Sequence, residues 1–468
     1  MEFLYYVFDS LLIPLIRNSF YVTESNNDRY RLFYFHHDVW KTISEPALRN
    51  LKDNMFEEFK SAGRGEVAFQ PNRLGHSQIR LLPKRDSLRP ITNLRRKQIN
   101  PKMPKILGPS INSVLAPIHT VLKLERVSST KGQRIARQLT CMQAIQPSRL
   151  GSAMFSVGDI YWRLKMFRES FSSALPRLYF AKVDVQAAFD TIPQAAVVKL
   201  MNTITSQSSY DIVKHAEVRP GERSLSDSDM MTTKPIRRWH ANALPENDTR
   251  PFFARVEDSL AAKAKNTVFI DTASRRSWDT EGLLQLMKEH IEQNLVKFGK
   301  KLYRQKQGIP QGSVLSSFLC NYFYADLEAR KLGFLQSSDC CLLRLIDDFL
   351  LITTDRTKAA QFVELMQGGV PEYGVLVSEK KTLVNFDLVL QGERITKLDT
   401  GAWFPYCGTV INCHDLNIGK DRMKDRNLGN DFFAVHQFAS TNHPRYIQLP
   451  NRRTRPSCRS ELPTKGPQ

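Results

Sequence analysis

RLIDDFLLI, residues Arg344–Ile352, sets two adjacent aspartates, Asp347 and Asp348, between apolar runs with no glycine or proline at the junction. Such flanks around a polar pair read as strand–turn–strand, buried in a sheet that lifts both carboxylates to its rim. Crowded carboxylates repel one another unless a cation neutralises them, and hard oxygen donors suit Mg²⁺. Aspartate is also an ordinary turn residue. The rest of the chain has to decide between a plain hairpin and a metal site.

At 468 residues the chain can bury a large core divided among two or three subdomains. A hydrophobic content of 41% and an aromatic content of 10% belong to a folded protein. Lys and Arg number 67 against 47 Asp and Glu, for a net charge of +20, which points to a polyanionic partner. The most apolar stretch, Phe3–Ile16, is interrupted by Asp9 and Pro14 and is too short to span a bilayer, so no membrane partner is expected. Its spacing of Leu4, Phe8, Leu11, Leu12 and Leu15 predicts an amphipathic helix packed on a core. The seven cysteines are scattered, odd in number and lack C-x-x-C, which argues for a reducing compartment with neither disulfides nor zinc.

Three further motifs bear on the aspartate pair. AKVDVQAAFDTIP (Ala181–Pro193) puts Asp184 at the end of an apolar strand, with Asp190 as a turn or N-cap residue. Asp184 beside Asp347 would make a two-carboxylate platform for two Mg²⁺ ions and an in-line attack on phosphorus. QGIPQGSVLSSFLCN (Gln307–Asn321) reads as a tight glycine turn followed by a helix from Ser313 to Ala329. LLPKRDSLRPITN (Leu81–Asn93) reads as a basic hairpin whose Lys84 and Arg89 could both reach a triphosphate. Residues 205–250 are polar and weakly patterned, as in an inserted element, and Leu283–Phe298 reads as one amphipathic helix.

The order of these motifs is that of the fingers and palm of reverse transcriptases. Their wording resembles the telomerase reverse transcriptase family in particular: NSFYVTES (Asn18–Ser25), KVDVQAAFDTIPQ, QGIPQGSVLS, LLRLIDDFLL, GVPEYGVLVSEKKTLVNF (Gly369–Phe386) and WFPYCG (Trp403–Gly408). The resemblance runs from about residue 3 to 416 and implies an α+β right-hand polymerase with a helical N-terminal remnant and a disordered tail. The expected divisions are 1–75, the end of an RNA-binding domain; 76–178, the fingers; 179–416, the palm, with an insertion at about 200–300 and the primer grip near 403–408; and 417–468, a tail in place of a thumb.

Residue by residue, the resemblance implies Asp184, Asp347 and Asp348 as ligands of two Mg²⁺ ions. It places Lys84, Arg89, Gln311 and Gly312 around the incoming deoxynucleoside triphosphate, and Phe189 against a ribose 2′-hydroxyl. Lys381 would protonate the leaving pyrophosphate, and Tyr406, Cys407 and Gly408 would grip the primer. By strand alternation Asp347 is expected beside Asp184, with Asp348 directed to the other face. The implied activity is extension of single-stranded telomeric DNA by copying a separate telomerase RNA, in the nucleus, at telomeres. The departures imply a partial chain. The rival readings are a retroelement reverse transcriptase and a truncated, non-catalytic nucleic-acid-binding fragment.

Overall fold

Phe180, Ala181, Val183, Phe349, Leu350, Leu351 and Ile352 are all excluded from solvent, as near-continuous apolar strands are when a sheet is covered on both faces. They belong to Tyr179–Asp184 and Asp348–Thr353, the two central strands of a four-stranded sheet. Cys340–Leu345 flanks them on one side and the short Leu383–Val384 on the other. All three pairings are antiparallel, with Ile352 opposite Phe180 and Asp348 opposite Asp184.

The computed structural model describes residues 2–24, 31–59, 74–84, 88–99, 107–126, 149–171, 175–221, 235–260, 264–398 and 403–421. They divide between two units, one within residues 2–49 and 81–89, the other within residues 50–80 and 90–421. In the second unit, one face of the four-stranded sheet (Ala181, Val183, Phe349, Leu351) belongs to the same core as the helices Ser316–Lys331 and Arg356–Gln367. The other face (Phe180, Leu343, Leu350, Ile352) packs with helix Asp159–Glu169 and the hairpin carrying Phe404 and Tyr406.

The stretch expected as an insertion divides. Strands Ser209–Arg219, Ile236–Pro245 and Val268–Asp279 form their own antiparallel sheet, with Ser209–Arg219 in the middle. Residues 222–234 lie outside the described part. The predicted helix Leu283–Phe298 is corrected: the helix is Thr280–Glu292, and Leu295–Phe298 is a strand. That strand pairs with Lys301–Gln305 and runs parallel to His76–Pro83. Residues 295–305 therefore join the sheet of the basic hairpin, whose order is Phe56–Glu58, Lys301–Gln305, Leu295–Phe298, His76–Pro83, Leu88–Thr92.

At the other end, Trp403–Tyr406, Thr409–Asn412 and Ile418–Lys420 make a three-stranded antiparallel sheet. A tail beginning at 417 is corrected by that last strand, because Ile418 pairs with the buried Ile411. Residues 422–468 lie outside the described part.

In the first unit, Glu2–Ser19 is helical throughout, with a wider π turn at Val7–Leu12. The expected packing on a core is not found: none of these residues is buried, and Leu4, Phe8, Leu11 and Leu15 are each more than half exposed. NSFYVTES enters a hairpin, Phe20–Glu24 against Leu32–His36, and Tyr21 stacks on Trp40 of the next helix with ring centroids 4.2 Å apart.

Candidate active site

Leu345 pairs with Asp348, so Ile346 and Asp347 form a two-residue turn, and Ile346 takes φ +61°. Register then overturns the expectation from alternation. Asp348 lies directly across from Asp184, so the two side chains share a face and hydrogen-bond to each other. Asp347 sits in the turn on the side of helix Ser316–Lys331, where its charge adds to burial in pushing the Cys320 thiol up to about 12. Burial raises the Asp348 carboxyl above the usual carboxylate range, Lys182 opposes the shift, and Asp184 and Asp347 add to it.

The end of the Asp184 strand is held from both sides. Val185 N–H donates to the Asp347 carbonyl at 3.1 Å, and Ser378 N–H to the Asp184 carbonyl at 3.1 Å. Gln186 N–H donates to Leu376 O at 2.7 Å. Lys381, in the 3₁₀ turn Glu379–Lys381, forms an ion pair from Nζ to Asp184 Oδ2.

Among the described residues no three His, Cys, Asp or Glu side chains converge on a point that could hold a metal ion. The donors nonetheless fit a hard cation: Asp184 and Asp348 lie directly across from each other, Asp347 immediately precedes Asp348, and all are oxygen ligands.

The glycine turn is built for close approach. Gly308 has φ +72°, and a Cβ there would fall 2.5 Å from Phe189 O. Ile309 N–H donates to Phe189 O at 2.7 Å. Gln311 donates from Nε2 to Asp190 Oδ1 at 2.6 Å, so Asp190 orients Gln311, a role the expected capping reading missed. The four-residue helix Ala188–Thr191 begins instead from Ala187 at φ +48°, with no side-chain cap. Gly312 has φ +103°; its carbonyl accepts from Asn112 Nδ2 at 3.1 Å, and the Gln311 carbonyl accepts from Thr92 N–H at 3.2 Å. The following helix starts at Ser316, later than the predicted Ser313. Phe189 is half-buried and packs against the core.

The predicted grip hairpin forms, turning at Cys407 (φ +47°) and Gly408 (φ +79°). It reaches the aspartates directly: buried Tyr406 donates its hydroxyl hydrogen to Asp348 O at 3.0 Å, and Cys407 Sγ lies 3.7 Å from Asp348 Oδ2. Burial pushes the Cys407 thiol up to about 12, and Asp348 adds to the shift. Lys84 follows strand His76–Pro83 and Arg89 lies in Leu88–Thr92; both are exposed, and residues 85–87 between them lie outside the described part.

Arg344 was passed over in the sequence, yet among the described residues it is the largest side chain wholly excluded from solvent. It donates from Nε to Glu328 Oε1 at 2.5 Å and from Nη1 to Asn321 Oδ1 at 2.8 Å and Ile346 O at 3.4 Å. Nη2 donates to Asn321 O at 3.1 Å and to Leu150 O at 3.3 Å. The Ile346 contact ties this network to the turn that carries Asp347. A lone cation inside an apolar strand was its sequence signal.

A family profile described as Reverse transcriptase (RNA-dependent DNA polymerase) matches residues 224–386, which take in Gln311, Asp347, Asp348 and Lys381. With the α+β fold, this match assigns the chain the fold of the reverse-transcriptase class, a class that generally depends on divalent metal. A second profile, Telomerase ribonucleoprotein complex - RNA binding domain, matches residues 1–51. The telomerase reverse transcriptase of Mus musculus is 29% identical over 440 residues, covering 89% of this chain and 36% of that protein. That of Canis lupus familiaris is 31% identical over 418 residues, covering 88% and 35%. Apo telomerase from Candida tropicalis superposes with a TM-score of 0.62 at 22% identity, covering 90% of this chain and 59% of that one. The chain belongs to the telomerase reverse transcriptase family, and it spans a little over a third of the length of the curated relatives it matches.

Proposed function

We propose that this chain carries the catalytic fold of an RNA-directed DNA polymerase that extends chromosome-end 3′ DNA primers by copying a separate telomerase RNA. The observation that supports it best is the register of Asp184 opposite Asp348, with Asp347 in the adjoining turn. The RNA-binding-domain match at residues 1–51 and the net charge of +20 support an RNA partner. A similar protein, telomerase from Candida albicans (TM-score 0.58, 20% identical), was solved in complex with a TWJ fragment of telomeric RNA. Its place of action would be the telomere, in the nucleus. Among the described residues no helix is long and apolar enough to cross a membrane.

Asp184, Asp347 and Asp348 would hold two Mg²⁺ ions, which when bound activate the primer 3′-hydroxyl and neutralise the departing pyrophosphate. Lys381 carries a proton on Nζ beside Asp184 and can pass it to the leaving group. Lys84 and Arg89 take the triphosphate, one as a point charge and the other as a fork. Gln311, held by Asp190, and Gly312 line the nucleotide, and the Phe189 ring excludes a ribose 2′-hydroxyl. The Tyr406–Gly408 turn holds the primer end, linked to the aspartates through Asp348.

The test is Mg²⁺-dependent extension of a telomeric primer by the chain combined with its cognate RNA. Asp184→Asn and Asp347→Ala should each lower incorporation by about a thousandfold or more while leaving salt-sensitive RNA binding intact. Unchanged extension by Asp347→Ala would remove that residue from the metal site. No incorporation by the wild-type chain would favour a nucleic-acid-binding fragment.

A further inference from the structure

Helix Thr280–Glu292 grows directly out of the last strand of the insertion sheet, and its start is fixed to that sheet. Asp279 caps it by accepting from Gly282 N–H at 2.6 Å, and Thr280 N–H donates to Ser208 O at 2.9 Å. Its inner face is Leu283, Met287, His290 and Ile291. Three of these are apolar, and His290, 1% exposed, is the exception. An imidazole at such a place costs stability unless it is hydrogen-bonded, where a leucine would pack without that demand. Its Nε2 lies 2.8 Å from Ser313 Oγ.

Ser313 closes the Gly308–Ser313 turn. Its Oγ also accepts from Leu315 N–H at 3.2 Å, at the entry to helix Ser316–Lys331. The other ties on the turn come from elsewhere: Gln194 at Gly308, Phe189 at Ile309, Ser316 at Pro310, Asp190 and Thr92 at Gln311, and Asn112 at Gly312. The His290 bond is thus a side-chain tie from the helix that continues the insertion sheet, two residues from Gln311. We propose that His290 is a positioning residue for the incoming nucleotide, coupling the insertion sheet to Gln311 through Ser313. This rests on the reading of the turn as the nucleotide site.

The experiment uses the full chain with a poly(rA) template annealed to an oligo(dT) primer. KM for dTTP and kcat are measured for wild type, His290→Leu, Ser313→Ala, the double variant and His290→Gln, with direct dTTP binding by equilibrium dialysis. Each single loss should raise KM and weaken dTTP binding about fivefold to tenfold, with kcat within about twofold, as for one lost hydrogen bond. The double variant should be no worse than the poorer single, since both remove the same interaction. His290→Gln, which can still reach Ser313, should recover most of the loss. If His290→Leu fails to fold, Ser313→Ala carries the comparison. Additive effects, or a fall in kcat with KM unchanged, overturn the coupling and leave the polymerase reading standing. A wild-type chain that neither binds nor incorporates dTTP overturns both.

Discussion

Arg344→Met should cost this protein a large share of its stability, and a second substitution should return most of it. The guanidinium sits at zero exposure and makes five hydrogen bonds, to Glu328, Asn321 twice, Leu150 and Ile346. Methionine fills much of the volume and satisfies none of these partners. The Glu328 carboxylate keeps Ser152 N–H at 2.6 Å and Ser152 O–H at 2.7 Å but loses its counter-charge in a buried site. Breaking one side of a buried pair in this way costs about 3–5 kcal/mol, against a total of about 5–15 kcal/mol for a folded domain. Replacing both charges removes the uncompensated carboxylate, so Arg344→Met with Glu328→Leu should lie within about 1–2 kcal/mol of wild type. Urea denaturation at pH 7, followed by circular dichroism for wild type, both singles and the double, reads this as a positive coupling of about 2 kcal/mol or more. A double variant as unstable as Arg344→Met alone would refute the reasoning, because the cost would then lie in packing around the arginine and not in the stranded charge.

Acid should destabilise the chain through His290, whose burial lowers its pKa from 6.5 to about 4. Between those values the unfolded chain takes up the proton and the folded one does not, so stability falls as pH drops through that window, by about 3 kcal/mol in all. His290→Leu should flatten this limb in urea titrations at pH 7, 6, 5 and 4, and an unchanged slope would exclude His290 as its source. Gly308→Ala, which drives a Cβ toward Phe189 O at positive φ, should cost about 2–4 kcal/mol and lower incorporation with it; a neutral effect on both would show that the turn is not as closely pressed as it stands. Tyr406→Phe removes the donor to Asp348 O and should cost about 1 kcal/mol, with incorporation slowed a few-fold. Incorporation at the wild-type rate would show that this bond does not support the aspartates.

Much of the site was legible because its signals are local. Strand–turn–strand at Arg344–Ile352, a strand ending at Asp184 and the glycine turn at Gly308–Gly312 each follow from apolar runs and turn residues a few positions apart, whereas the hairpin at Trp403–Gly408 is implied only by the family resemblance. Where several local signals compete, the sequence was less informative. The apolar spacing of Leu283–Phe298 suits one long helix, but the chain leaves it after Glu292, and the β-branched Val296 becomes a wholly buried strand residue against Tyr303. The polar stretch at 205–250 shows no clean alternation, yet Ser209–Arg219 forms the centre of a sheet because both its neighbours pair with it.

By itself the sequence determined that two aspartates stand at a hairpin turn, that a third ends a strand, and that all three lie in a basic chain whose motifs resemble those of reverse transcriptases. Which aspartate faces which was decided only in three dimensions. Alternation along one strand says that Asp347 and Asp348 differ in direction, but not which of them shares a side with Asp184. That depends on register with a strand more than 160 positions earlier in the chain, where Leu345 closing on Asp348 sets a two-residue turn and Asp348 meets Asp184. A shift of one residue would exchange the two, and the apolar faces would exchange with them, so the packing of Leu350 and Phe349 on opposite sides holds the carboxylates in their present order.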